Sequence, residues 1–76
     1  MSKLKLIDGK RNVQYKIRGF ELSNPNTTML LNNLGINEDE TIVLLQSNYG
    51  KKSYLVNVAG VSFALDERVC EGIIVE

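Results

Sequence analysis

Short β-type segments separated by turns are the feature that most constrains how this 76-residue chain can fold. In the first segment, Val13, Tyr15 and Ile17 alternate with polar residues, as in a strand with one buried face. A chain of this length buries only about 60% of its unfolded surface, so residues 1–76 are expected to form one domain with one small core. The segments are 11–21 (RNVQYKIRGFE), 41–47 (TIVLLQS), 53–59 (SYLVNVA), 61–65 (VSFAL) and 73–76 (IIVE). Five short strands joined by tight turns predict a mainly β fold, a small closed barrel filled by side chains.

The segment TTMLLNNLGI, residues 27–36, predicts one short helix. Asn26 or Thr27 can cap its start, and the body is expected over residues 28–34. Gly35 suits the left-handed residue that follows a helix end. The next residue, Ile36, is then expected to contact Leu31 in a Schellman motif, which ends the helix firmly.

A projection at about 100° per residue predicts which face of this helix is buried. Thr27, Leu31 and Leu34 fall together, with Leu30 on their flank. A helix this short is not stable alone in water, so its leucines are expected to plug one end of the barrel.

The opposite face of the helix carries Met29 and Asn33. Met29 should be exposed, with Leu30 at its edge, and methionine is common at adaptable contact surfaces. Met29, Leu30 and Asn33 are therefore the predicted partner-binding residues. The alternative is that Met29 folds back under the loop of residues 21–26.

The second half of the chain contains a tight corner and a second helical turn. Gly60 can take the positive φ that such a corner needs. Val61, Phe63 and Leu65 are expected to face inward. Asp66 can cap one helical turn over residues 67–71, which precedes the closing strand.

Catalytic and metal-binding residues are scarce in this sequence. It has no histidine and one cysteine, Cys70, so a histidine base and a thiolate–imidazole metal site are excluded within one chain. The acidic residues at 38–40 and 66–67 lack the spacing of a calcium loop. Cys70 is expected to be a buried apolar residue. We therefore predict a non-enzymatic protein with no catalytic residues, metal ligands or cofactor.

Nucleic-acid binding is a further alternative, because small barrels often bind nucleic acids with basic and aromatic side chains. The candidate residues are Lys16, Arg18, Lys51 and Lys52 with Tyr15, Phe20, Tyr49 and Tyr54. Nine basic and nine acidic residues cancel, however, and Tyr15 shares the inward phase of Val13. The balance of charge predicts no nucleic-acid partner.

Location is predicted from two absences in the sequence. No apolar run approaches the length of about 18 residues that a membrane helix needs, and the N-terminus lacks an apolar signal segment. A small domain without an internal disulfide is typical of the cell interior. We predict a cytoplasmic protein that does not insert into the membrane.

The order of these elements resembles the FeoA family, the small cytosolic component of bacterial ferrous-iron transport. The matching stretches are LLNNLGI, TIVLL and YLVNVAGVSFALDERVCEGIIVE, and the likeness covers residues 9–76. The residues that match the family pattern are Leu31, Leu34 and Gly35 at the helix end, Val58 and Gly60 at the corner, Ala64, Leu65 and Asp66 after it, and Ile73 and Val75 in the closing strand. The resemblance implies an SH3-like barrel. It also implies an accessory role in iron homeostasis, by docking on the cytosolic GTPase region of the membrane ferrous-iron transporter.

One departure from the family and one related domain keep alternatives open. Many relatives have arginines just before the helix-ending leucines, where this chain has Met29 and Leu30, so its contact is expected to be apolar or its partner different. Self-association through the same edge is the alternative to binding a partner. A related barrel forms the C-terminal domain of metal-dependent repressors. A metal-regulatory role of that kind would need DNA-binding helices from another chain.

Overall fold

The computed structural model describes residues 4–48, 50 and 52–76. These residues form six strands, two α-helices and one 3-10 turn at Leu6–Asp8. In chain order the elements are β1 (Leu4–Lys5), β2 (Gln14–Phe20), α1 (Pro25–Asn33), β3 (Thr41–Asn48), β4 (Ser53–Val58), β5 (Val61–Asp66), α2 (Glu67–Glu71) and β6 (Ile73–Val75).

The described strands form one antiparallel sheet in the order β1-β6-β2-β3-β4-β5. The molecule measures 26 × 26 × 25 Å, so the sheet curls around the core to give an SH3-like fold. All five predicted strands are present, but the predicted count is one too low. The predicted closure is also wrong for the described residues, because β1 and β5 end the sheet and do not pair with each other. The sixth strand, β1, is only two residues long and is held by pairing with β6, which an alternation pattern cannot reveal.

Irregular pairing lets the sheet bend. The register between β2 and β6 shifts between Ile17 and Gly19, and that between β3 and β4 shifts between Leu44 and Gln46. An extra residue on one strand bends it and increases its twist. These two positions therefore help the sheet to wrap around its own core.

The core is apolar throughout, with no buried polar or charged residue among those described. Leu65 is buried, as predicted, and Phe63 is partly buried against the core. Val13 and Val61 were predicted to face inward, but they are 38% and 54% exposed. Val13 lies just before β2 and Val61 directly follows a turn. Both therefore lie at the end of a strand, beyond the buried core. The fully buried side chains are Leu6, Ile17, Ile36, Ile42, Val56, Val58, Cys70 and Ile73.

Helix α1 begins earlier than predicted. Asn24 is its N-cap, and its side-chain oxygen accepts a hydrogen bond from the Asn26 N–H at 2.9 Å. The predicted caps, Asn26 and Thr27, lie inside the first turn. Pro25 is the reason, because its fixed φ and missing N–H suit the first position of a helix.

The predicted helix end and the predicted corner are both confirmed. Gly35 has φ 96°, and the Ile36 N–H donates to the Leu31 carbonyl at 2.9 Å, as a Schellman motif requires. Between β4 and β5, Gly60 has φ 85° and Ala59 has φ 52°, which are the two positive values of a type I′ hairpin turn. The predicted turn over residues 67–71 is helix α2, capped by the side chain of Asp66.

Candidate functional site: the exposed face of helix α1

Helix α1 is attached to the core by a single buried side chain, Leu31, which is 2% exposed. Met29 and Leu30 are each 58% exposed, and Leu34 is 47% exposed. The prediction that Leu34 faces the core is therefore wrong. The chain reverses at Gly35 and inserts Ile36 into the core, so Ile36 occupies the buried position that the projection assigned to Leu34.

The exposed apolar residues of α1 form one continuous surface, which we call the α1 apolar face: Met29, Leu30 and Leu34. At about 100° per residue these three side chains lie within an arc of about 140°, and exposed Asn33 lies inside that arc. The structure thus places all three predicted partner-binding residues in solvent. It also brings Leu34 to the same surface, which the sequence projection missed. The glycine signal at Gly35 predicts only that Ile36 returns beside Leu31, and it gives no direction for the Leu34 side chain, whose backbone is still helical.

The helix that carries this face has no charged residue. Its sequence, PNTTMLLNN over Pro25–Asn33, contains only apolar, threonine and asparagine side chains. A surface helix normally carries charged residues on its solvent side. Recognition at this face would therefore rely on apolar contact and amide hydrogen bonds, with little contribution from charge.

An open groove of about 640 Å³ lies beside the start of α1. Leu22, Asn24 and Thr27 line one side of it, and Arg68 and Val69 of α2 line another. Its lining carries charges of both signs: the basic residues are Lys5 and Arg68, and the acidic residues are Glu21, Asp66 and Glu71. This mixture does not select a ligand of one charge.

The residues considered for nucleic-acid binding do not form an aromatic platform within the described part of the chain. Tyr54 is buried, and Tyr15 packs partly against the core, where its hydroxyl accepts a hydrogen bond from the Lys10 N–H at 2.9 Å. Arg18 pairs through Nη1 with Asp39 at 3.2 Å and through Nε with Glu76 at 2.7 Å. Stacking needs open ring faces beside free cations. Phe20 is likewise partly buried, and Tyr49 and Lys51 lie outside the described residues.

The described residues contain no group of three or more cysteine, aspartate and glutamate side chains that could hold a metal ion. Asp66 is occupied in capping α2, where it accepts from the Arg68 N–H at 3.0 Å. Cys70 is fully buried, as predicted. Burial, and then the nearby charge of Asp66, raise the pKa of the Cys70 thiol from 9.0 to about 12, so it remains an unreactive thiol near neutral pH.

The raised pKa of the Cys70 thiol predicts that the protein loses stability at alkaline pH. The folded protein keeps the Cys70 proton up to a pKa of about 12, whereas an unfolded chain loses it near 9.0. The free energy of unfolding should therefore fall as the pH rises through this interval, because the unfolded state then binds fewer protons. Urea unfolding between pH 8 and pH 11 measures the slope. Cys70→Ala is the control, because the two proteins differ only in the thiol. Parallel pH curves for the two would contradict the shift.

The FeoA domain model matches residues 4–76 of the sequence. The chain belongs to the FeoA domain family. No curated protein matches the chain. Within the part of this FeoA-family chain that the structure describes, no helix has the length and apolar character to cross a membrane.

Solved structures show the same fold at low sequence identity. A crystal structure of an iron uptake regulatory protein (FeoA) is 18% identical with a TM-score of 0.81, covering 100% of this chain and 97% of that one. A FeoA-like protein from Clostridium acetobutylicum is 16% identical with a TM-score of 0.83, over 100% and 87% of the two chains. ScaR with bound Cd²⁺ is 24% identical with a TM-score of 0.84, over 97% of this chain and 34% of that one. The FeoA-family chain thus spans about a third of ScaR and nearly all of the FeoA structure, and these likenesses establish the fold.

Proposed function

We propose that this FeoA-family protein is a non-enzymatic interaction module of ferrous-iron uptake. It docks on the cytosolic GTPase region of the membrane iron transporter, and it therefore works in the cytoplasm. The observation that carries this proposal is the α1 apolar face, three large apolar side chains about half exposed on a helix without charge. Family membership and the fold of an iron uptake regulatory protein support the iron context.

The α1 apolar face is suited to a protein partner for an energetic reason. Fully burying a leucine or methionine side chain contributes about 1.5–3 kcal/mol, and about half of each side chain is still exposed here. Covering all three would contribute on the order of 3 kcal/mol, as the apolar centre of an interface with a polar rim. Asn33, which lies among them, can supply hydrogen bonds to the partner backbone.

The test is a titration of the isotope-labelled protein with the GTPase region of a ferrous-iron transporter from the same organism, followed by amide NMR shifts. We expect shifts centred on residues 29–34. The double variant Met29→Lys/Leu30→Lys should weaken binding by at least about tenfold, since each lysine places a charge in the apolar centre. Val61→Lys is the matched control, a similarly exposed apolar residue on another element, and should bind as the wild type does.

Salt separates this docking from the alternative of nucleic-acid binding. Affinity through the α1 apolar face should change little between about 50 and 200 mM salt, whereas phosphate contacts lose affinity steeply over that range. Unchanged transporter binding by the double variant would exclude the α1 apolar face. Salt-sensitive binding to an oligonucleotide, with no shift on adding the GTPase region, would overturn the proposal as a whole.

A further inference from the structure

The described sheet ends in two edge strands, β1 and β5. Strand β1 has two residues, too few to offer a long free edge. Strand β5 has six residues, and all six pair with β4 without any shift of register, from Val58↔Val61 to Ser53↔Asp66. Only β5 therefore presents a long, regular edge among the described residues.

The alternation of hydrogen-bonded and non-hydrogen-bonded pairs in the β4–β5 hairpin shows which backbone groups of β5 face away from β4. Val58 and Val61 flank the two-residue turn and form a hydrogen-bonded pair, and such pairs alternate along an antiparallel ladder. The bond from the Glu67 N–H to the Lys52 carbonyl, 2.9 Å long, falls in the same series. The intervening residues, Ser62 and Ala64, thus direct their N–H and C=O groups to the free edge, and both residues are exposed.

Strand β5 lacks the sequence and register features that normally block strand pairing. Natural edge strands carry lysine, proline, a bulge or a covering element to prevent association. Strand β5, with sequence VSFALD, has no lysine, proline or bulge, and its one charge is Asp66 at the end. The four outward backbone groups of Ser62 and Ala64 have no backbone partner among the described residues.

We propose that β5 pairs antiparallel with β5 of a second copy of this chain. In the register that uses all four free groups, Ser62 of each copy lies opposite Ala64 of the other, and four backbone hydrogen bonds form. Phe63 then faces Phe63 of the second copy across the twofold axis. This is a non-hydrogen-bonded pair, in which side chains approach most closely and aromatic rings contact one another.

Charge permits this pairing with a second copy. Each Asp66 lies opposite Gly60 of the other copy, six residues or about 20 Å along the strand from the other Asp66, so the two carboxylates do not repel strongly. The net charge of the chain is zero, and proteins near zero net charge associate more readily.

The strand is its own complement in this register, which favours a second copy over an unrelated strand. One pair of short strands buries well under the roughly 1,000 Å² of a stable interface, so we expect a weak dimer with a Kd on the order of 0.1–1 mM. The contact uses no residue of the α1 apolar face, and the dimer is therefore separate from the proposed docking.

The test exploits the proposed register. Ser62→Lys/Ala64→Lys places lysine opposite lysine twice across the twofold axis, whereas Ser62→Lys/Ala64→Glu places lysine opposite glutamate twice. Amide NMR spectra and diffusion coefficients are recorded for each protein between about 2 mM and about 50 μM, a range that spans the expected Kd. For the wild type we expect concentration-dependent shifts centred on residues 61–65 and slower diffusion at high concentration.

The lysine–lysine variant should dimerise at least about tenfold more weakly, because like charges directly opposite one another repel. The lysine–glutamate variant should keep the wild-type concentration dependence, because opposite charges across the strands attract. Ala64→Pro is a second block, since it removes one outward N–H without touching the β4 ladder. A wild type whose shifts and diffusion do not depend on concentration would overturn the proposal. So would concentration-dependent shifts centred on residues 29–34, or a lysine–glutamate variant as monomeric as the lysine–lysine one.

Discussion

Leu31→Ala is expected to lower the free energy of unfolding by about 2–5 kcal/mol, the usual cost of a buried leucine truncation. Leu31 is 2% exposed and is the one buried side chain of helix α1, so its loss leaves a cavity and releases the helix from the core. A domain of this length has a total stability of about 4–11 kcal/mol. Leu31→Ala should therefore remove a large share of the stability and leave part of the protein unfolded at room temperature.

Leu34→Ala is the matched control, the same change three residues later at the end of the same helix. Leu34 is 47% exposed, so its truncation should lower the free energy of unfolding by only about 1 kcal/mol, half of what a fully buried leucine side chain contributes. Urea unfolding followed by circular dichroism measures both variants on one scale. Equal losses for the two would mean that Leu34 is as buried as Leu31 and would refute the orientation of α1.

This pair of leucines shows what could be predicted from the sequence about the candidate site. The helix end was predictable because Gly35 and the Ile36–Leu31 contact are local features. The exposure of Met29 and Leu30 was also predictable from the angular projection, and it is observed. The outward position of Leu34 was not, because the projection gives the angle of a side chain but not which residue fills the space beside Leu31. Ile36, which follows the turn at Gly35, is the buried one.

The fold was predictable to a similar degree, and its errors have a common cause. Alternation identifies strands that are half buried along their length, and a continuous apolar run such as residues 41–47 identifies a central strand. All five segments predicted in these ways are strands. Alternation does not show where a strand passes beyond the core, so Val13 and Val61 were placed inside although they are exposed. Nor does it reveal β1, whose two residues are a strand only because β6, at the far end of the chain, pairs with them.

One short helix contributes apolar side chains both to the core and to the exposed α1 apolar face. Leu31 is the only side chain of α1 that is buried in the core. Met29, Leu30 and Leu34 stay about half exposed to water, which is unfavourable for apolar side chains and does not stabilise the fold. Exposed single leucines are common, but three large apolar residues on an uncharged helix form a contiguous patch. A partner that covers this patch is the simplest physical reason for it, and this is why we propose docking there.

Close backbone packing links the loop before α1 to the end of α2. The Glu21 N–H donates to the Gly72 carbonyl at 2.7 Å, and the two segments pass so near one another that there is no room for a side chain at residue 72. A Cβ atom there would collide with Leu22 Cδ2 and would lie 2.9 Å from the Glu21 carbonyl oxygen. Gly72 has φ −95°, which any residue adopts, so the requirement for glycine is one of space alone.

Gly72→Ala is therefore expected to destabilise the protein by about 1–3 kcal/mol, the usual cost of inserting a methyl group into a packed contact. The Leu22 side chain can rotate into the neighbouring groove, but the Glu21 carbonyl is backbone. Moving it disturbs the hydrogen bond that the Glu21 N–H donates to the Gly72 carbonyl. Gly19→Ala is the control, because an added Cβ at Gly19 would meet no atom within 4 Å. That change should be neutral or stabilising by up to about 1 kcal/mol, through the smaller conformational freedom of the unfolded chain. Thermal unfolding of the two variants gives the comparison, and a Gly72→Ala protein as stable as the Gly19→Ala protein would show that the loop before α1 is not held against α2.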